Sequence, residues 1–236
     1  SLMREINVGT ARNLADVVRS DQTVFFMNTN AGYRPGADGI ATEETPMVGS
    51  TPYAQTKIEA EKILLDTGTC VSFRLAAIYG PSVASVMRWE TLLNQIIYHV
   101  AGMSDTPYLV YQPEARRDVL YIKDLIFRLA LPICSSNRVR KEVYNLTGDS
   151  DTKINLIKRV STILNSECAV VEVGGSDPDG RDFVVSEAKF RNLLASWPIP
   201  GNSETFSYLH LGLFVNAWTQ PFASSVLSTA RAALIR

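Results

Sequence analysis

Cysteine, histidine and net charge are all scarce in this chain. Cys70, Cys134 and Cys168 are its 3 cysteines and His99 and His210 its 2 histidines, and no Cys-x-x-Cys or Cys/His cluster brings them together in sequence. Structural zinc and a disulfide framework are therefore disfavoured. Lysine plus arginine number 23 against 24 aspartates plus glutamates. That near balance gives no basic field for a nucleic-acid backbone. No apolar run approaches the ~20 residues that a bilayer-spanning helix needs. No charged-apolar-small targeting segment opens the sequence. The expectation is a globular cytoplasmic protein without nucleic-acid or membrane partners. Internal repeats and low-complexity segments are also absent.

What is present is apolar patterning, with 46% hydrophobic residues over 236 positions, enough for a substantial core. Residues 4–19 read as a helix with Leu14, Val17 and Val18 among its apolar positions. The run Thr23-Val24-Phe25-Phe26-Met27 reads as a buried strand. A long polar loop follows from about 30 to 50, carrying Arg34-Pro35-Gly36, Asp38-Gly39, Glu43-Glu44-Thr45-Pro46 and Gly49-Ser50; loops of that length are uncommon unless functional. Thr51 is then an N-cap with Pro52 at the first helical position. Gly68 ends that helix before the strand Cys70-Val71-Ser72-Phe73-Arg74-Leu75. Alternation of helix and strand predicts a parallel α/β sheet. Further along, the sequence predicts helices around 87–101, 123–134 and 153–164, with extended pieces at Tyr108–Tyr111, Val143–Leu146 and Ala169–Val173.

One stretch carries chemistry. Ser50-Thr51-Pro52-Tyr53-Ala54-Gln55-Thr56-Lys57 sets a tyrosine and a lysine four residues apart at the start of a helix, on one face. A phenol titrates near pH ~10 and becomes a useful base at neutral pH only where a neighbouring positive charge favours its anion. Lys57 is the residue that supplies such a charge. Taken alone, Tyr-x-x-x-Lys also fits an ordinary amphipathic surface helix. Its flanks set it apart: Thr29 lies at a strand-to-loop junction upstream, and Phe73-Arg74-Leu75-Ala76-Ala77-Ile78-Tyr79-Gly80-Pro81 and Arg117-Asp118-Val119-Leu120-Tyr121-Ile122-Lys123-Asp124-Leu125 follow downstream.

In this order and spacing the four stretches resemble the extended short-chain dehydrogenase/reductase family, the NAD-dependent epimerases and dehydratases of nucleotide sugars. The resemblance implies a Rossmann-like parallel sheet with helices on both faces, short of its first strands here, and a small C-terminal α/β substrate lobe. Residues 1–165 read as the partial Rossmann-like domain with interleaved segments of the lobe, and 166–236 as mainly the C-terminal substrate-binding lobe. The family's opening strand, Gly-x-x-Gly-x-x-Gly turn and helix, where the cofactor pyrophosphate sits, have no counterpart: Gly9 and Gly32 are isolated and Gly174-Gly175 lies far downstream. Asn7-Val8-Gly9-Thr10 is one residue shorter than the family's Asn-x-x-Gly-Thr form.

The resemblance also implies roles. Tyr53 moves a proton to or from a substrate hydroxyl, Lys57 tunes it and holds the nicotinamide ribose, and Thr29, set four residues before Tyr33, bridges the substrate oxygen. Ile78 joins Tyr53 and Lys57 at the cofactor, NAD or NADP. Arg117 and Arg181 match positions that meet the diphosphate of a nucleotide sugar, a task suited to the planar guanidinium fork. Arg88 is a weaker anion candidate, whereas His99, Trp89 and Trp197 read as packing groups. The family's dehydratases place an acid two residues after the Thr/Ser; Ala31 stands there, which disfavours dehydration and decarboxylation. Ala77 replaces an asparagine that many sugar epimerases aim at a substrate phosphate. Implied partners are a nucleotide sugar or another small molecule, and a homodimer is left open. Two further readings stay beside the enzyme: a catalytically silent binding module, and a reductase of a non-nucleotide carbonyl compound.

Overall fold

A computed structural model of the chain describes residues 1–34, 39–81, 88–134, 139–175, 177, 180–196 and 222–234. Trp197, His210, Asp179 and parts of the expected 30–50 loop lie outside the described residues. The contacts group the chain into two units, each made of three stretches: Ser1–Ala76, Arg128–Thr147 and Pro178–Phe190 form one, and Ala77–Phe127, Gly148–Asp177 and Arg191–Arg236 the other.

In the first unit the chain begins as one helical segment, α1 (Leu2–Arg4), a π turn (Glu5–Gly9) and α2 (Thr10–Val17). The face turned inward carries Val8 and Ala11, while of the apolar positions noted in the sequence Leu14 is 37% and Val17 71% exposed. The π turn adds a residue to one turn and so shifts the phase of α2 against α1. Asn7, inside that turn, donates to the Thr56 hydroxyl at 3.0 Å.

Three parallel strands follow, in the order β1 (Val24–Thr29), β3 (Cys70–Leu75), β7 (Glu142–Leu146), with Thr29 beside Leu75 and Leu75 beside Leu146. All six residues of the central β3 are buried. Residues 24–27 of β1 are only half-buried, against the expectation of a buried strand, because among the described strands β1 has a neighbour on one side only. Phe73 stacks with Phe25 and Tyr144 at centroid distances of 6.2 Å and meets Phe190 edge-on. Helix α3 (Pro52–Asp66) packs through Ala54, Ala60 and Leu64, whose small or apolar side chains allow close approach to the strands. The segment expected as a polar loop contains the short strand β2 (Ile40–Ala41), parallel to β10 (Val184–Val185). Tyr33, Ala41, Phe183 and Val185 make a small core there.

In the second unit β4 (Ala77–Tyr79) runs parallel to β6 (Arg116–Tyr121), which pairs antiparallel with β8 (Asp149–Thr152). Strand β5 (Tyr108–Tyr111) is parallel to β9 (Val170–Val173). Helices α4 (Leu92–Val100) and α6 (Lys153–Leu164), with the last described helix Phe222–Leu234, build a core of Leu93, Ile96, Val100, Leu156, Val160 and Val226. Helix α5 (Ile122–Cys134) carries the chain back to the first unit, and α7 (Ala188–Ser196) ends the stretch that returns to the second. Gly80, just after β4, sits at φ +133°, and a Cβ there would lie 2.6 Å from Ile122 Cγ2. No described helix is long and apolar enough to cross a membrane.

Candidate functional site

Ligands of parallel α/β sheets gather at the carboxyl ends of the strands. Thr29 is the last residue of β1 and largely buried; its hydroxyl oxygen accepts from the Ala31 N–H at 3.1 Å, the side-chain turn expected of threonine at a strand end. The next residue, Asn30, donates its N–H to the Leu75 carbonyl at 3.0 Å, and its side-chain oxygen accepts from Arg181 at 3.3 Å. Arg181 is thus brought beside the threonine.

Tyr53 and Lys57 occupy the first two turns of α3. The Thr51 hydroxyl caps the helix by accepting from the Ala54 N–H at 3.2 Å, with Pro52 at its start. Gly49, at φ +69°, lies against the same turn, where a Cβ would stand 3.0 Å from the Gln55 nitrogen and from Ile58 Cδ1. Tyr53 is 44% exposed. The Lys57 ammonium reaches β1, donating to the Met27 carbonyl at 2.6 Å and lying 4.1 Å from the Phe26 ring centroid. Burial lowers the Lys57 pKa, and the Glu61 charge offsets part of that. Among the described residues no hydrogen bond joins Tyr53 to Lys57; what the lysine binds is the strand that carries Thr29.

Beneath them lies a buried polar cluster that the sequence reading did not identify. Glu61 accepts from Asn28, Ser72 and Arg74, each at 2.6 Å at its shortest. Arg74 also donates to the Tyr33 hydroxyl and the Glu43 carbonyl, both at 3.0 Å, and Tyr33 in turn donates to the Asn145 side chain. Burial pushes the Glu61 carboxyl up, but the Arg74 guanidinium and the Ser72 and Asn28 donors outweigh it and hold it below its ordinary value. Burial likewise opposes the Arg74 charge, and Glu61 more than restores it. Burial drives the Tyr33 phenol up to about 12, so Tyr33 remains a neutral donor. The available signal was an arginine inside the otherwise apolar strand Phe73-Arg74-Leu75, which demands a buried partner.

The second unit holds the other two expected residues. Ile78 is the middle residue of β4, half-buried and in register with Leu120. Arg117, on β6, is 4% exposed and donates to Asp177 at 2.7 Å and to the Arg116 carbonyl at 2.9 Å. Lys153, another residue the sequence reading passed over, bonds the same Asp177 carboxylate. Among the described residues no group of three or more His, Cys, Asp or Glu is disposed to hold a metal ion.

Several solved structures share this architecture. A dTDP-glucose 4,6-dehydratase from Bacillus anthracis, in complex with NAD, superposes with a TM-score of 0.73 at 19% identity, covering 99% of this chain and 69% of that one. A UDP-glucuronic acid 4-epimerase from Bacillus cereus, in complex with UDP-glucuronic acid and NAD, gives 0.75 at 15% identity over 98% of this chain and 68% of its own. The protein RMD from Pseudomonas aeruginosa, complexed with NADPH, gives 0.70 at 17% identity over 99% and 74%. At these identities the likeness is one of fold. Residues 2–147 match the model of the NAD dependent epimerase/dehydratase family, and that match extends from the opening helix through β1, the Tyr53–Lys57 helix and β7. The chain therefore belongs to the NAD dependent epimerase/dehydratase family.

Proposed function

We propose that this chain serves an NAD(P)-dependent epimerase or reductase whose substrate is a nucleotide sugar, with Thr29, Tyr53 and Lys57 as its catalytic set. The observation that carries the reading is the Lys57 ammonium bonded to the Met27 carbonyl, which ties the helix bearing Tyr53 to the strand that ends in Thr29. Tyr53 exchanges a proton with a sugar hydroxyl as a general acid and base. Thr29 holds the oxygen of that hydroxyl through its own O–H. Lys57, fixed by β1, presents its remaining N–H donors to ribose hydroxyls, and Ile78 offers the cofactor an apolar contact. NAD or NADP, when bound, supplies the hydride acceptor. The residues fit its nicotinamide end; no Gly-x-x-Gly-x-x-Gly turn occurs in the sequence for its pyrophosphate. Arg117 and Arg181 each offer a planar guanidinium to a substrate phosphate. With Ala31 in place of a carboxylic acid, no side chain two residues after Thr29 can protonate a leaving hydroxyl, so the reaction stops short of dehydration.

A second reading is a catalytically silent binding or interaction module. Titration of NAD(H) and NADP(H), followed by nicotinamide fluorescence, separates the two. The enzyme reading expects saturable binding and an activity that falls roughly 10²–10⁴-fold in Tyr53→Phe, with cofactor affinity little changed. Lack of binding at millimolar cofactor, or full activity in Tyr53→Phe, would overturn it.

A further inference from the structure

We propose that Lys153 is a second phosphate-binding cation beside Arg117, and that the Asp177 carboxylate occupies their common anion seat until a diphosphate displaces it. The inference rests on the reading of Arg117 as a diphosphate contact.

Arg117 projects from β6 and Lys153 from the first position of α6; they are 4% and 5% exposed. Backbone carbonyls hold each one from behind: Arg116 accepts from Arg117 at 2.9 Å and Tyr111 from Lys153 at 2.6 Å. Arg117 Nη2 and Lys153 Nζ also both reach one atom, Asp177 Oδ2, at 2.7 Å from Arg117 and in contact with Lys153. A planar guanidinium and an ammonium closing on one oxygen is the geometry that a phosphate oxygen takes between arginine and lysine.

Lys153 is otherwise misplaced. The first turn of a helix repels cations because its free N–H groups and the aligned peptide dipoles are positive, and a buried ammonium there needs an anion nearby. The carboxylate closest in the ladder does not supply it. Asp151, in register with Arg117, accepts instead from Thr152, Asn155 and Arg159. Asp177 comes from neither β6 nor α6 but from the stretch after β9, and it brings one negative charge where a diphosphate brings two or more.

Opposite signs test this. With the full chain, UDP and uridine are titrated calorimetrically at low ionic strength. Lys153→Met is expected to weaken UDP binding roughly tenfold and leave uridine unchanged, Lys153→Arg to retain most of the UDP affinity, and Asp177→Asn to tighten UDP several-fold. UDP affinity unchanged in Lys153→Met but lowered in Arg117→Met overturns the role of Lys153 while leaving that of Arg117 intact. Weaker UDP binding by a folded Asp177→Asn overturns the displacement. Should Asp177→Asn fail to fold, Asp177 is a structural carboxylate and only the Lys153 comparison stands. Equal affinity of the parent chain for UDP and uridine defeats the Arg117 reading and this inference together.

Discussion

At the scale of single residues, Glu61 and Arg74 matter as much as the residues that the motif announces. Their pair is buried, so removing one partner leaves an uncompensated charge inside the protein, at a cost of about 3–5 kcal/mol. Glu61→Gln should show that loss as a lower urea midpoint. It should also change the response to acid. The folded carboxyl sits below its ordinary value, so on acidification the unfolded chain takes up a proton first. The pair's contribution is present above about pH 4.3 and is lost as the pH falls through the folded pKa. Glu61→Gln should therefore flatten the decline of melting temperature below that pH; an unchanged slope would assign the decline to other carboxylates. The Tyr53–Lys57 spacing is legible in sequence because it is local, set by the helical repeat alone. The acceptor of Lys57 is not, since the Met27 carbonyl is a backbone group 30 positions away, and every residue carries such a group.

At the scale of elements, caps and glycines place the site. Thr51→Ala removes the side-chain acceptor for the Ala54 N–H and should cost about 1 kcal/mol. Gly49→Ala should cost more, combining an unfavourable positive φ with a Cβ pressed on the first turn of α3. Thermal melts of both variants would check that order, and a reversal would show that the entry to α3 is looser than its geometry implies. The start of α3 and the spans of β3, β5 and β7 could be anticipated because the Thr51 cap, Pro52 and apolar runs leave plain marks. The inward face of α1–α2 could not, because a π turn has no comparable signature. Nor could β2 and β10, two residues each, whose pairing joins distant parts of the chain.

At the scale of the whole molecule, both units are assembled from separated stretches, and no single cut in the chain isolates either. A chain ending at Phe127 would lack β7, leaving the central strand β3 without one of its two partners. Such a chain is expected to lose the cooperative urea transition of the parent; an intact sigmoidal transition would show that β1, β3 and α3 suffice alone. The order of helix and strand revealed the parallel α/β class, since each crossover needs its own amphipathic helix. Interleaved segments are expected from the family resemblance alone, because long-range contact is something composition does not record. The buried cluster joining Asn28, Tyr33, Glu61, Arg74 and Asn145 has a consequence for how this sequence can drift. Those positions come from five separate segments yet share one set of protons and charges, so substitutions accepted singly elsewhere would be tolerated here only in compensating combinations. In a randomised library, survivors should vary at 61 and 74 together or not at all.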